Sequence, residues 1–151
     1  MDYQYILVDV KDRIATVTIN RPEYSNAFAR ESYFEIADAM NTLGAREDVG
    51  AIVITGAGKH FSAGGDIKRF KMLVDTGASA RRSIALDALK IWLLLGFIVG
   101  IVTGVATGAG LSCALACDFR IVEPSSKMIM AFVNMGLCGD NESIYTLMRL
   151  V

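Results

Sequence analysis

Two stretches of this chain combine dense glycine with a position suited to backbone chemistry. Gly56-Ala57-Gly58-Lys59-His60-Phe61-Ser62-Ala63-Gly64-Gly65-Asp66 follows the apolar run 51–55, and Gly104-Val105-Ala106-Thr107-Gly108-Ala109-Gly110 follows 98–103. Each leads into a segment of helical pattern. Small residues at such a turn let a ligand approach bare backbone, and the first N–H groups of the following helix have no partner inside it. The helix dipole adds partial positive charge at the same place. A turn of this kind can hold a phosphate, or an oxygen that becomes negative during a reaction. The nucleotide-binding patterns do not fit: Gly58 is followed by Lys59-His60-Phe61 rather than two residues and a third glycine, and no glycine-rich stretch ends in Gly-Lys-Ser/Thr. Tight packing alone is the competing explanation of the glycines.

The elements that must position these turns are legible as an α/β pattern. Residues 5–10 form a strand candidate, Lys11-Asp12-Arg13 a short turn, and Ala15, Val17 and Ile19 alternate with Thr16, Thr18 and Asn20 at the period of a half-buried strand. Arg21-Pro22-Glu23 closes the hairpin, since proline cannot donate to a ladder. Tyr33, Ile36, Ala37, Met40 and Leu43 then recur at helical spacing up to Gly44. The run 51–55 suits a strand covered on both faces. Helical pattern returns at 67–74, 80–95, 111–117 and 142–150, with strands at 98–103, 119–122 and 128–130. Strand, glycine loop and helix thus occur twice, implying parallel strands joined by right-handed crossovers. The expectation is one α/β core domain over 1–151, incomplete because it stops in mid-helix.

Composition narrows the function classes. The 151 residues carry 15 Lys+Arg against 16 Asp+Glu, a net charge of −1 without the basic footprint of a nucleic-acid binder. Apolar residues at 53% exclude intrinsic disorder. Cys113, Cys117 and Cys138 with the single His60 lack zinc-ligand spacing, so neither a metal site nor a disulfide scaffold is expected. The cysteines read as core thiols at 113 and 117, with Cys138 in the candidate site loop but no cation beside it to lower its pKa, and the methionines at 128, 130 and 135 as core filling or an acyl-pocket lining. His60 reads as a surface loop residue. No secretory signal opens the chain, and a cytoplasmic location is the default. The uncharged run 91–111 is long enough for a membrane helix. Its five glycines and β-branched 98–103 favour a buried helix end, strand and turn instead, although a membrane anchor stays open as a rival.

Five motifs, in order and at compatible spacing, resemble the enoyl-CoA hydratase/isomerase (crotonase) superfamily. They are Ile19-Asn20-Arg21-Pro22-Glu23 with Asn26-Ala27, Ile54-Thr55-Gly56, Phe61-Ser62-Ala63-Gly64-Gly65-Asp66-Ile67, Gly104 to Gly110, and Ala114-Leu115-Ala116-Cys117-Asp118. The resemblance implies a crotonase-like spiral of ββα units with its carboxyl-terminal helical region missing. It also implies an acyl-CoA thioester as partner, no cofactor beyond the coenzyme A carried by the substrate, and a homotrimer or dimer of trimers at full length. Carried over by position, the two oxyanion donors are the backbone N–H groups of Gly65 and Ala109. Ala27, Ala63, Asp66, Ile67, Lys68 and Phe132 fall on substrate-contacting positions. Asp66 has a second reading as a helix N-cap, and Lys59, Lys68 and Lys71 as solvated surface charges.

The acid–base groups separate the branches of that family. Hydratases carry two glutamates, and by alignment those positions hold Ser112 and Phe132, neither of which activates water as a carboxylate would. Ala131-Phe132-Val133-Asn134-Met135-Gly136-Leu137 resembles the isomerase branches, one of which acts on acyl-carrier-protein thioesters. Asp140 stands where those isomerases have their single base. The departure is Asn141-Glu142-Ser143 where many relatives have two glycines, which leaves Glu142 as an alternative base and an N-cap as an alternative role for Asp140. A dehalogenating branch uses an aspartate here as nucleophile, but no aromatic and histidine set accompanies it. The expected function is a double-bond shift in an enoyl-CoA or enoyl-carrier-protein thioester. The alternative is a hydratase-like member with altered or no catalysis that binds acyl-CoA.

Overall fold

The computed structural model describes residues 2–68, 71, 75, 97–136, 138–139 and 143–151. Strands β1 (Ile6–Lys11) and β2 (Ile14–Ile19) form the expected hairpin, with Lys11 opposite Ile14. The two-residue turn puts Asp12 at φ 50° and Arg13 at φ 65°, the paired left-handed conformation whose twist suits a tight hairpin. Ala15, Val17 and Ile19 are fully buried, as their alternation predicts. A 3-10 turn at Pro22–Tyr24 leads to helix α1 (Arg30–Gly44), whose Ile36, Met40 and Leu43 enter the core. Ala39 and Ser32 join that face, and the Ser32 hydroxyl oxygen accepts a hydrogen bond from Ala29 N–H at the helix start.

Strand β3 (Ala51–Gly56) pairs parallel with β2, β4 (Ile98–Val102) parallel with β3, and β6 (Phe119–Val122) parallel with β4. The sheet order is therefore β1-β2-β3-β4-β6. In β3 only Ile52 and Ile54 are buried, alternating with half-buried neighbours, so the run expected to be covered on both faces is covered fully on one.

The second glycine stretch contains an element that the sequence pattern does not suggest. Val105–Thr107 is a strand, β5, which pairs parallel with β7 (Lys127–Ile129) in a separate two-stranded sheet. Helix α2 (Ala109–Ala116) follows at once, starting two residues earlier than the pattern predicts. A 3-10 turn at Ala131–Met135 and helix α3 (Ser143–Leu150) complete the described chain.

The uncharged run is not one helix, because 98–102 is strand β4 and 109–116 is helix α2. Among the described residues no helix is long and apolar enough to cross a membrane. The expected helix at 80–95 and most of that at 67–74 lie outside the described residues, while Ile67, Lys68, Lys71 and Asp75 are helical.

Candidate active site

Bonds across the two glycine turns stitch them side by side. Phe61 N–H donates to the Thr103 carbonyl at 2.9 Å, Ser62 N–H to Val105 at 3.0 Å, and Thr107 N–H to Ser62 at 3.0 Å. Contact between the turns is close enough to require glycine. A β-carbon on Gly64 would lie 2.5 Å from the Thr107 carbonyl oxygen and 3.4 Å from the Ala109 nitrogen. The amide of Ala109 therefore sits against the residue just before Gly65.

The direction of each amide follows from where the carbonyl of the same peptide is held. In a trans peptide, C=O and N–H point opposite ways. The Gly64 carbonyl accepts from Phe28 N–H at 2.7 Å, which turns the Gly65 N–H away from Phe28. Likewise the Gly108 carbonyl accepts from Ser112 N–H at 3.0 Å and from the Ser112 hydroxyl at 3.2 Å, so the Ala109 N–H leaves α2 at its N-terminal end. Gly64 at φ 88° and Gly108 at φ 53° precede the two donors, and both turns depend on that left-handed backbone.

Among the described residues neither the Gly65 nor the Ala109 N–H has an acceptor, and no side chain caps α2. Around Gly65 a β-carbon would meet no atom of the described residues within 4 Å. Two backbone donors, one at a helix N-terminus, thus remain available at adjacent turns. Such an arrangement suits an oxygen that gains negative charge.

The expected contact residues gather on the Gly65 side. Asp66 N–H donates to the Phe28 carbonyl at 3.1 Å, its Oδ1 accepts from Lys68 N–H at 3.1 Å, and its Oδ2 lies 3.5 Å from Arg21 Nη2. The N-cap reading of Asp66 thus has its geometry, alongside an ion pair that sequence reasoning does not anticipate. Ala63 N–H donates to the Ser25 carbonyl, and the Ala27 carbonyl accepts from Arg21 Nη1, so both alanines join this cluster. Ile67 is 66% exposed, and Lys68 sends its ammonium 5.8 Å from the Tyr24 ring centre. Lys59 and Lys71 are exposed, as expected of solvated charges. Phe132 is on the other side: a β-carbon on Gly108 would touch its ring edge at 3.9 Å.

Ser112 is buried, with its hydroxyl turned to the Gly108 carbonyl. Asp140, Asn141 and Glu142 lie outside the described residues. His60 is not the plain surface residue the loop suggests. It is half-buried, with Nδ1 enclosed and without a hydrogen-bond partner among the described residues. Burial pushes the Cys113 thiol well above its ordinary range and the Cys117 thiol up to about 12, while Cys138 is exposed. Met128 and Met135 are exposed rather than core filling. Among the described residues no group of three or more His, Cys, Asp and Glu could hold a metal ion.

Asn26 is the organising residue that sequence reasoning quotes only as part of a motif. It is fully buried, accepts from Arg21 N–H at 2.9 Å through Oδ1, and donates through Nδ2 to the Ala57 and His60 carbonyls at 2.8 and 2.7 Å. Its own carbonyl accepts from the Ser62 hydroxyl at 2.8 Å. The signal for it is weak: an asparagine after a proline-started turn tolerates the φ of 57° found here.

Parallel strands β3 and β4 end in adjacent glycine turns, each with one amide that has no acceptor among the described residues, an arrangement able to hold one oxygen of a ligand by backbone alone. The chain belongs to the enoyl-CoA hydratase/isomerase family, whose profile matches residues 9–151. It is 34% identical to a trans-2-decenoyl-[acyl-carrier-protein] isomerase of Streptococcus mutans, over 100% of this chain and 59% of that protein. It is 45% identical to a probable enoyl-CoA hydratase of Mycobacterium leprae, over 52% of this chain and 30% of that one. The fold matches the crystal structure of an enoyl-CoA hydratase from Polaromonas sp. JS666 with a TM-score of 0.90 at 27% identity, covering 97% of this chain and 58% of that chain. The chain thus spans less than two thirds of the length of these relatives.

Proposed function

We propose that the protein containing this chain shifts the double bond of a 3-enoyl thioester to the 2-enoyl position. The Gly65 and Ala109 amides hold the thioester oxygen. Asp140 removes a proton from C2, the electrons of that C–H bond delocalise over the acyl group as a dienolate, and the same carboxyl returns the proton at C4. No cofactor takes part beyond the coenzyme A or carrier-protein arm of the substrate. In this reading Ala27, Ala63, Asp66, Ile67 and Lys68 line the path of that arm, Phe132 borders the acyl group, and the whole protein assembles as a trimer or a dimer of trimers.

The observation that supports isomerisation over hydration is the side-chain chemistry next to the donors. The first hydratase glutamate position holds Ser112, whose hydroxyl is spent on the Gly108 carbonyl, and the second holds the ring of Phe132. At those two positions no carboxylate stands to activate a water molecule. One carboxylate suffices for a 1,3-proton shift.

The test is to incubate the full-length protein with 3-enoyl-CoA and with 2-enoyl-CoA and follow the ultraviolet absorbance of the conjugated thioester. Isomerisation raises that absorbance with the first substrate, and hydration lowers it with the second. Asp140→Asn is expected to abolish the rise while acyl-CoA still binds. An unchanged rate in Asp140→Asn, with loss in Glu142→Gln, transfers the base to Glu142. Acyl-CoA binding without turnover of either substrate overturns the proposal in favour of a non-catalytic binding module.

A further inference from the structure

We infer that Arg21 is a positioning residue for the Gly65 amide, a buried clamp across the pairing of Phe28 with Gly65; this rests on the reading of that amide as an oxyanion donor. Phe28 and Gly65 form a parallel bridge in which Phe28 N–H and C=O grip the peptides on either side of Gly65. That grip sets where the Gly65 N–H points. It is only two hydrogen bonds wide, and one guanidinium holds both of its sides. Arg21 Nη1 donates to the carbonyl of Ala27, the residue before Phe28, at 2.6 Å. Arg21 Nη2 stands 3.5 Å from the carboxylate of Asp66, the residue after Gly65.

The guanidinium is itself immobilised. Its carbon lies 4.6 Å from the Tyr24 ring centre and 5.5 Å from that of Tyr5, and the Arg21 backbone N–H is fixed on Asn26. The side chain is 11% exposed, so its charge has been largely removed from water to sit between these partners. Desolvating a cation is costly unless its hydrogen bonds are satisfied in good geometry. A planar fork meets a carbonyl and a carboxylate on different segments at once, whereas a lysine ammonium concentrates its donors at one point. Arg21 therefore holds the Gly65 turn at one angle to the Ala109 turn.

The test uses the full-length protein and Arg21→Lys, with kcat and KM measured separately on 3-enoyl-CoA. A second readout is the infrared carbonyl stretch of bound, carbon-13-labelled hexanoyl-CoA, which falls when donors polarise the thioester. Arg21→Lys is expected to lower kcat by about 10- to 100-fold with KM changed less than about threefold, and to return the carbonyl stretch toward that of free hexanoyl-CoA. A wild-type protein that binds hexanoyl-CoA without lowering its stretch refutes the oxyanion reading, and the clamp with it. A lowered stretch in the wild type that Arg21→Lys retains in full overturns the clamp alone. Tyr24→Leu, which removes the ring facing both Arg21 and Lys68, is compared with Lys68→Ala and decides the matter if Arg21→Lys does not fold: a return of the stretch beyond that of Lys68→Ala supports the clamp, and none overturns it.

Discussion

Gly110→Ala isolates the convergence of the two turns from the rest of the site. Gly110 occupies the first turn of α2, where alanine is otherwise the better helix former by about 1 kcal/mol. Its β-carbon would nonetheless meet the Ser62 carbonyl oxygen at 2.6 Å, the Ser62 β-carbon at 2.8 Å and the Ser62 hydroxyl at 2.9 Å. Ser62 cannot retreat alone, because its N–H, C=O and hydroxyl are bonded to Val105, Thr107 and the Asn26 carbonyl. Clearing the shortest contact to 3.0 Å takes about 0.4 Å, and relaxing it to an ordinary 3.4 Å about 0.8 Å. Overpacking of this kind costs about 1–3 kcal/mol. The displacement separates α2, and with it the Ala109 amide, from the Gly65 turn. Donors that must hold within about 0.5 Å lose about 10- to 100-fold in rate when moved that far. The assay is kcat/KM on 3-enoyl-CoA for the full-length protein together with its thermal midpoint. Gly50→Ala serves as control, since its β-carbon meets Arg13 at an ordinary 3.6 Å, and it keeps both quantities. A Gly110→Ala protein with wild-type melting and wild-type turnover refutes the reasoning.

Asn26→Ala removes one acceptor and two donors from a fully buried hub and leaves the Arg21 N–H and the Ala57 and His60 carbonyls short of partners. A loss of about 3 kcal/mol or more is expected in urea unfolding. In the native protein a thiol-specific reagent is expected to modify Cys138, which is exposed, before the buried Cys113 and Cys117, which react on unfolding; peptide mapping after brief labelling reads this out. Stability should also fall above pH 9 through Cys117. Unfolding frees a thiol that ionises near 9.0, while the folded protein keeps its proton until about 12, so the unfolded state binds fewer protons across that window. The contribution of Cys117 is fully present below pH 9 and is diminished by about 3 kcal/mol at pH 11. Urea titrations at pH 8 and pH 11 are expected to show a smaller drop in Cys117→Ala than in the wild type.

The fold was legible in the sequence wherever one periodicity dominated. Ala15, Val17 and Ile19 alternate without interruption and are buried in β2, and Ile36, Met40 and Leu43 keep helical spacing on the inner face of α1. Strand β5 was not legible. Its three residues Val105-Ala106-Thr107 sit between glycines, and their strand character comes from a partner some twenty residues later, a long-range pairing with no local trace. The exposed side chains of β6 and β7 show the same limit, since apolar composition marks a strand without saying what covers it.

The site divides along a similar line for a different reason. The two amides proposed as its donors belong to the main chain, so no side chain at 65 or 109 announces them; they are proposed from the order and spacing of motifs that resemble a family. What aims them is a set of carbonyl partners that sequence does not display: Phe28 for the peptide before Gly65, Ser112 for the peptide before Ala109. These partners count first by position, because each acts through its backbone N–H, with the Ser112 hydroxyl adding a second bond. Substitutions that keep backbone paths intact should therefore spare the donors whatever chemistry they alter. Those that shift a path by a fraction of an ångström should impair them without touching substrate. The few side chains that break this rule are the ones spanning two segments at once, and Asn26 and Arg21 are both of that kind.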